Sequence, residues 1–106
     1  MKSYLDTFKL ENKVAFVVGG LGLIGEEVSK ALATAGARVV ILDIDSKKGI
    51  ETVNTISENS YKANYEKFDC SDLDKIAANI SSIIKKYDKV DILINCSYPR
   101  TEDWGE

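Results

Sequence analysis

The chain alternates between short apolar runs and longer stretches in which apolar residues recur every three or four positions. The apolar runs occupy residues 13–18, 38–43, 64–68 and 90–95. Such runs are typical of strands buried on both faces of a parallel sheet. The third run is weaker because Glu66 and Lys67 interrupt it, which favours an edge position. The periodic stretches between the runs predict three amphipathic helices, each with one face toward the core.

The ends of these helices carry recognisable signals. Gly36 stands where the C-terminal cap of the first helix belongs, and Ser46 is predicted to cap the second helix, which runs to about Glu58. The third helix is expected to open at Ser71 or Asp72. The residues predicted to face the core are Ile24, Val28, Ala31, Leu32 and Ala35 in the first helix, Ile50, Val53 and Ile56 in the second, and Leu73, Ile76, Ala77, Ile80, Ile83 and Ile84 in the third.

Strands and helices therefore alternate in the order β-α-β-α-β-α-β. Helical crossovers force neighbouring strands to run parallel, and right-handed crossovers favour a doubly wound sheet with strand order 3-2-1-4. The sequence thus predicts an α/β fold, a Rossmann-like parallel sheet of four strands with three crossover helices. Residues 1–12 are predicted to form a lead-in, residues 13–98 the folded unit and residues 99–106 a loop or tail.

Composition narrows the function classes. The 106 residues suit a single domain, and 14 basic against 17 acidic side chains give a net charge of −3. Without a basic excess, nucleic acid is not an expected partner, and no apolar run reaches membrane-spanning length. The absence of histidine excludes imidazole general bases and histidine-containing metal sites. Two cysteines do not make a disulfide scaffold, which favours a reducing cytoplasm.

The first strand runs directly into a glycine-rich segment, residues 19–25, inside which the first helix begins. Two spacings fit it: Gly20-x-Gly22-x-x-Gly25 and Gly19-x-x-Gly22-x-x-Gly25. Either spacing predicts a tight turn whose bare backbone lets a pyrophosphate approach, with the N–H groups of Leu23, Ile24 and Gly25 in the first helical turn facing the anion. A glycine-rich strand-to-helix turn without a ligand is the structural alternative. A P-loop is excluded because no Gly-Lys-Ser/Thr follows.

A single acidic residue ends the second strand at the place where dinucleotide-binding folds hold a ribose. Asp43 follows Gly25 by 18 residues, close to the roughly 20 expected. Its carboxylate is predicted to accept hydrogen bonds from the ribose hydroxyls and to repel a 2′-phosphate, and Asp45 adds negative charge, so NAD is preferred over NADP. The alternative roles of Asp43 are a helix cap or a solvated strand end. Lys47 and Lys48 are expected to be solvated surface residues, although they could reach a phosphate.

These segments resemble the short-chain dehydrogenase/reductase family. Residues 17–25 resemble its Thr-Gly-x-x-Gly-x-x-Gly cofactor loop, with Val18 in place of the usual threonine. Residues 68–72 resemble the family's Asp-Val-x-Asp segment after strand three. The resemblance implies that Asp69 meets the adenine amino group and that the Cys70 backbone bounds the adenine pocket. From the residues alone, Asp69 could equally cap the third helix.

The end of the fourth strand completes the resemblance. Residues 91–98 resemble the family's Asp-x-Leu-Val-Asn-Asn-Ala-Gly segment, in which the first Asn ties strand four to the cofactor loop. Asn95 matches that Asn, whereas Cys96 replaces the second Asn and Tyr98 replaces the Gly. Cys96, near the cofactor crevice, is a candidate cofactor contact, and a small buried residue is the alternative. The ending Asn-Cys-x-Tyr-Pro-Arg is similar to a subgroup associated with flagellin or surface-sugar modification.

The resemblance implies an oxidoreductase that transfers hydride between the nicotinamide of NAD(H) and a carbonyl or alcohol carbon. The family's catalytic Tyr-x-x-x-Lys pair is absent, because none of the five tyrosines has a lysine four residues later. We therefore expect the NAD-binding half of a longer enzyme, inactive alone and able to use a small-molecule substrate only together with the catalytic half. The alternatives are a non-enzymatic NAD-binding module and the cofactor half of a sugar-nucleotide epimerase or dehydratase.

Two further expectations follow from strand order. Residues 92–94 are predicted to lie at an open parallel edge, which predicts self-association through this edge or coverage by residues 97–106. Three strand spacings, about 14 Å, separate the ends of the third and fourth strands, so Cys70 and Cys96 are expected not to form a disulfide.

Overall fold

The computed structural model describes residues 9–71 and 73–97, and these form four strands and three helices in the predicted order. The elements are β1 (Val14–Val18), α1 (Leu23–Thr34), β2 (Arg38–Asp43), α2 (Ser46–Glu58), β3 (Ala63–Lys67), α3 (Ile76–Tyr87) and β4 (Ile92–Asn95). All strand pairs are parallel and the sheet order is β3-β2-β1-β4. This confirms the Rossmann-like α/β fold and its strand order.

Strand β1 lies in the middle of the sheet, and all five of its residues are buried. Ala15 pairs with Val39 of β2 on one side and with Ile92 of β4 on the other. Alternate residues of β1 point to opposite faces, as strand geometry requires. One face packs with α1 and α2 in a cluster that includes Ala33 and Ile56. The opposite face packs against α3.

Helix α3 covers its face of the sheet through aromatic and aliphatic contacts. Ile83 is buried there, and the Tyr87 ring meets the Phe16 ring edge-on, with the centroids 6.1 Å apart. The Tyr87 hydroxyl donates to a carboxylate oxygen of Glu66 on β3 at 2.7 Å. Burial, followed by this hydrogen bond, raises the pKa of Tyr87 above its usual range. The phenol therefore stays protonated and anchors the end of α3 to the edge strand.

The predicted core faces of α1 and α2 are correct in part. Ile56 is buried, and Val28, Leu32 and Val53 are half-buried against the core. Ile24 is 72% exposed and Ala31 is also exposed, and Ile50 of α2 points to solvent. The buried residues of the two helices are smaller on average: Gly25, Ser29 and Ala33 in α1, and Gly49, Thr52 and Ile56 in α2. In α1 the small residues are four apart and let the helix approach the sheet closely, so the buried stripe is centred on them while Val28 and Leu32 pack beside it.

The helix ends agree with prediction in one case and differ in two. Gly36 has φ +107° and its N–H bonds to the Ala33 carbonyl at 3.0 Å, as predicted for a glycine after α1. The cap of α2 is Asp45 rather than Ser46, because the Asp45 carboxylate accepts from the Lys48 N–H at 3.0 Å. Helix α3 begins at Ile76 rather than at 71 or 72. Asp72 lies outside the described residues, and Leu73 precedes the helix and is 80% exposed.

The acidic residue before β4 fastens that strand to β1. One carboxylate oxygen of Asp91 accepts from the Val14 N–H at 2.8 Å and from the Lys89 ammonium at 3.0 Å. These hydrogen bonds, the one from Val14 first, lower the pKa of Asp91. The Asp91 N–H in turn donates to the Val14 carbonyl at 2.9 Å. Both polar groups of the first β1 residue are thus satisfied by one residue of the neighbouring chain segment.

No helix within residues 9–71 and 73–97 is long and apolar enough to span a membrane.

Helix α2 lies unusually close to β3 because of one glycine. A Cβ atom at Gly49 would lie 2.3 Å from Cδ1 of the Tyr65 ring. The Tyr65 hydroxyl donates to the backbone carbonyl of Asp43 at 2.6 Å and also contacts the Ser46 hydroxyl at 3.3 Å. The tyrosine therefore fills the space that the glycine leaves and connects β3 with the end of β2 and the start of α2.

We predict that Gly49→Ala lowers the free energy of unfolding by about 1–3 kcal/mol, because the new methyl group overpacks against the ring. The measurement is urea unfolding of both proteins. In a Tyr65→Ser background the ring is gone, so the same Gly49→Ala change should raise stability by up to about 1 kcal/mol through the better helix propensity of alanine. An equal loss in both backgrounds would contradict the close contact.

Candidate functional site

The polar and glycine residues singled out from the sequence meet at the carboxyl ends of the parallel strands. The chain leaves β1 toward β2 on one side, whereas β4 pairs with β1 on the other. This is the switch point of a doubly wound sheet, where a crevice opens outside the strand ends. The glycine-rich turn after β1 forms the centre of this region, and the ends of β2, β3 and β4 surround it.

The glycine-rich turn is built around two close backbone approaches. Gly19 has φ +73°, and a Cβ there would lie 2.7 Å from the backbone nitrogen of Ser97. A Cβ at Gly25 would lie 2.2 Å from the Gly19 carbonyl oxygen. Gly22 differs, since the nearest atom to its Cβ position is 3.7 Å away. The left-handed glycine is thus Gly19, which favours the Gly19-x-x-Gly22-x-x-Gly25 spacing of the two that fit the sequence.

The first turn of α1 leaves backbone donors exposed. Gly22 is the N-cap residue and offers no side chain to cap the turn, and its own N–H bonds to the Gly19 carbonyl at 3.3 Å. The first α-helical bond runs from the Glu26 N–H to the Gly22 carbonyl at 2.8 Å. The N–H groups of the residues between these two, Leu23, Ile24 and Gly25, have no partner within the helix. With the helix dipole, they can bind an anion.

Asp43 stands beside this turn and contacts it directly. One carboxylate oxygen accepts from the Leu21 N–H at 3.3 Å, and the other accepts from the Asp45 N–H at 3.2 Å. Its alternative role as the cap of α2 is excluded, because Asp45 takes that role. The carboxylate retains further acceptor capacity, since two oxygens offer about four lone-pair directions.

Lys48 is partly exposed, as expected for a surface residue, with 44% of its side chain accessible, but it also contacts the turn. Its ammonium donates to the Leu21 carbonyl at 2.6 Å and lies 3.9 Å from a carboxylate oxygen of Glu26. Sequence reasoning missed this contact because its partner is a backbone group, 27 positions earlier, that carries no residue-type signal.

A crevice of about 230 Å³ opens beside Gly19 and Asp43. Its lining consists of Gly19, Leu42, Asp43, Ile44, Phe68, Asp69, Cys70, Ser71 and Ser97. Four predicted site residues from three segments of the chain therefore line one cavity: Gly19, Asp43, Asp69 and Cys70. Phe68 and Ser97 were not predicted for the site. The apolar run that ends at Phe68 gave a signal for burial only, and Ser97 lies within the motif of residues 91–98 at a position to which no role was assigned.

Asp69 and Cys70 lie on the segment that crosses the strand ends after β3. One oxygen of the Asp69 carboxylate accepts from both the hydroxyl and the N–H of Ser71, at 2.6 and 2.9 Å, and these bonds lower its pKa. Asp69 does not cap α3, which begins seven positions later in the chain. The Cys70 sulfur lies 3.8 Å from the Ser97 hydroxyl. This segment returns across the sheet, so Cys70 approaches β4 more closely than strand spacing alone suggests.

The end of β4 closes the site behind Gly19. The Asn95 side-chain oxygen accepts from the N–H of Ser97 at 3.0 Å and from its hydroxyl at 2.5 Å. The Cys96 N–H donates to the Val18 carbonyl at 2.7 Å, and its side chain packs against the α1 and α2 face of the core. Cys70 packs against the opposite face, and both thiols are free. Tyr98 lies outside the described residues.

A second cavity, about 300 Å³, lies between the C-terminal ends of α1 and α2. Its lining includes Lys30, Thr34 and Tyr61, and none of the residues predicted for the site. It is at the other end of the helices from the glycine-rich turn.

The fold and the glycine-rich turn define a nucleotide-binding α/β protein, and comparison with known proteins identifies the family. The family described as short chain dehydrogenase matches residues 13–97. The chain belongs to this family of oxidoreductases, which binds nicotinamide cofactors. The resemblance inferred from the three motifs is thereby confirmed.

Similar curated proteins share this region. Post-translational flagellin modification protein A of Campylobacter coli is 30% identical over 99 residues, which are 92% of this chain and 38% of that protein. The 7alpha-hydroxysteroid dehydrogenase of Escherichia coli K12 is 33% identical over 90 residues, 85% of this chain and 35% of that enzyme. The chain thus spans less than half the length of these relatives.

Solved structures of the family superpose well. A gluconate 5-dehydrogenase from Burkholderia cenocepacia J2315, in complex with NADP and tartrate, has a TM-score of 0.82 and 26% identity over 93% of this chain and 39% of that chain. A hydroxysteroid dehydrogenase from Escherichia coli has a TM-score of 0.77 and 32% identity over 92% of this chain and 43% of that chain.

The glycine contacts predict losses of different size for two similar substitutions. Gly25→Ala places a methyl group against the Gly19 carbonyl and should lower the free energy of unfolding by about 3 kcal/mol. Gly22→Ala makes only an ordinary van der Waals contact, 3.7 Å from the Gly19 carbonyl oxygen, and should cost about 1 kcal/mol, the difference between glycine and alanine at an N-cap. Urea unfolding of the two variants checks this, and equal losses would mean that the turn does not have this geometry.

Proposed function

We propose that residues 13–98 form the cofactor-binding portion of an oxidoreductase that transfers hydride between NAD(H) and a carbonyl or alcohol carbon. The observation that carries this proposal is the joint placement of the glycine-rich turn and Asp43, which are hydrogen-bonded to each other at the switch point of the sheet. The glycine-rich turn suits a pyrophosphate and the Asp43 carboxylate suits a ribose, and the two lie next to each other as these groups do in a dinucleotide. The hydride is supplied or accepted by the nicotinamide, and the small-molecule substrate is bound with residues beyond those of this chain.

The pyrophosphate is proposed to bind at the start of α1. The contacts of Gly19 and Gly25 keep the turn tight, and the missing side chain of Gly22 allows a phosphate to approach the backbone. The N–H groups of Leu23, Ile24 and Gly25 then donate to the anion. The exposed side chain of Leu23, 90% accessible, is available to cover the bound cofactor.

The adenosine is proposed to occupy the crevice beside Asp43. The carboxylate of Asp43 accepts hydrogen bonds from the ribose hydroxyls, and the Asp69 oxygen not bonded to Ser71 accepts from the adenine amino group. The backbone at Cys70 bounds the pocket. Asn95 and Cys96 support the cofactor loop from β4, a proposal supported by the backbone bond between Cys96 and Val18.

NAD is proposed as the preferred cofactor. Two carboxylates, Asp43 and Asp45, adjoin the place where a 2′-phosphate of NADP would lie, and like charges repel. Lys48 is bonded to the Leu21 carbonyl and close to Glu26, so its charge is already engaged. The gluconate 5-dehydrogenase neighbour carries NADP, which makes a direct comparison of the two cofactors the necessary experiment.

The residues of this chain bind and orient the cofactor and carry no proton-transfer step. No tyrosine in the sequence is followed by lysine four residues later. The substrate class stays within carbonyls and alcohols. Membership of a surface-sugar modification subgroup is proposed on the strength of the Asn95–Cys96 ending and the likeness to the flagellin modification protein of Campylobacter coli.

We predict that the chain binds NAD about tenfold more tightly than NADP, because the carboxylate at 43 repels the additional phosphate. Asp43→Asn keeps an acceptor for the Leu21 N–H but removes the charge, so it should bring the two dissociation constants close together. Isothermal titration calorimetry measures the dissociation constants for NAD and NADP in each protein. Asp45→Asn removes an equal charge and retains a good helix cap, and it should change the ratio less. A wild-type chain that binds neither dinucleotide would overturn the proposed function.

The open edge of β4 is proposed as a site of self-association. Leu93, 61% exposed, lies on this strand, whose outer side pairs with no other strand of the described residues. We expect sedimentation velocity to show a concentration-dependent dimer that Leu93→Lys abolishes. Ile50→Lys removes an exposed apolar side chain of α2, the helix that packs on β3 at the opposite edge of the sheet, and should leave the dimer intact. A monomer at all concentrations would refute this proposal.

A further inference from the structure

Leu21, in the middle of the glycine-rich turn, has both of its backbone polar groups held by side chains from outside the turn. Its N–H donates to the Asp43 carboxylate at 3.3 Å, and its carbonyl accepts from the Lys48 ammonium at 2.6 Å. Its own side chain is buried, with 4% exposed. The turn is therefore fastened to the end of β2 and the first turn of α2, not only to its own neighbours.

The bond to Lys48 determines the orientation of a particular peptide group. The Leu21 carbonyl and the Gly22 N–H belong to one planar trans unit and point in opposite directions. Lys48 holds the carbonyl end, while the Gly19 carbonyl accepts from the N–H end at 3.3 Å. Because both ends are held, the plane cannot rotate. Gly22 is the N-cap of α1, so this plane sets the direction in which the next exposed N–H groups point.

A second contact keeps the Lys48 ammonium over the turn. Glu26, in the first turn of α1, lies 3.9 Å from it and 3.3 Å from the ammonium of Lys30. The neighbouring Lys47 is exposed and lies beside Lys48 on α2, so it has the same charge without the same position. The two lysines form a natural pair of test and control.

We infer that Lys48 is a positioning residue for cofactor binding, because it locks the Leu21–Gly22 peptide so that the α1 N–H groups are set to receive the pyrophosphate. This inference rests on the proposed function. It differs from a role as a receptor for the 2′-phosphate of NADP, since the ammonium acts through a backbone carbonyl and serves every ligand that carries the pyrophosphate.

The first test needs no cofactor. In ¹⁵N–¹H spectra of the 106-residue chain, Lys48→Met should shift the Gly22 and Leu23 amide signals and speed the hydrogen exchange of the bonded Gly22 N–H. Lys48→Arg should restore them because arginine keeps the donor. Lys47→Met should leave them unchanged. Glu26→Gln, which weakens the hold on Lys48 without removing the donor, should shift the same signals by a smaller amount. Unmoved signals in Lys48→Met would overturn the inference.

The second test uses ligands that differ in the pyrophosphate. Lys48→Met should raise the dissociation constant for NAD about tenfold, the effect of losing one charge-assisted hydrogen bond, and change that for adenosine less than about twofold. A general structural defect would weaken the binding of NAD and of adenosine equally. A loss of affinity confined to NADP would assign Lys48 to the 2′-phosphate. Either result overturns the positioning role. If NAD binds the wild-type chain and Lys48→Met behaves as Lys47→Met does, the inference fails while the proposed function stands.

Discussion

A strand buried on both faces in the middle of a parallel sheet must satisfy its backbone through two neighbouring strands, and β1 does so through β2 and β4. Parallel neighbours require crossover connections, which place α1 and α2 on one face and α3 on the other. The polar groups at the start of β1 need partners as well, and Asp91 supplies them for Val14. The burial of this strand thus determines where each helix packs and where the crevice opens.

At its carboxyl end, the same strand must pass into a helix within a few residues, and that passage produces the site. Gly19 turns the chain with a positive φ, and Gly25 lets the helix lie against the turn. The turn contains no polar side chain that could hold its backbone by hydrogen bonding, so Asp43 and Lys48 hold it from outside. The residues that suit a nucleotide and the residues that shape the turn therefore overlap, and Asp43 belongs to both groups.

The sequence predicted the strands, their order and the position of Asp43, because these depend on local patterns and on crossover geometry. It predicted the helix faces less well. Large apolar residues such as Ile24 dominate a periodicity argument, whereas close packing selected Ser29 and its small neighbours. The contact of Lys48 was not predictable, because its partner is a backbone carbonyl. The approach of Ser97 to Gly19 was not predictable either, because it joins backbone atoms that only the fold brings close.

The contact between Gly19 and Ser97 has a consequence for the time at which the site forms. These residues are 78 positions apart in the chain. The Ser97 backbone therefore does not pack against Gly19 until the end of β4 has docked beside β1. Contacts of such separation form late, because a long loop must close before they bring any stabilisation. During synthesis from the N-terminus, nascent chains that end before residue 97 would carry the whole glycine motif without the Ser97 backbone that packs against Gly19. The site would then be able to bind a dinucleotide only after the fourth strand has emerged from the ribosome.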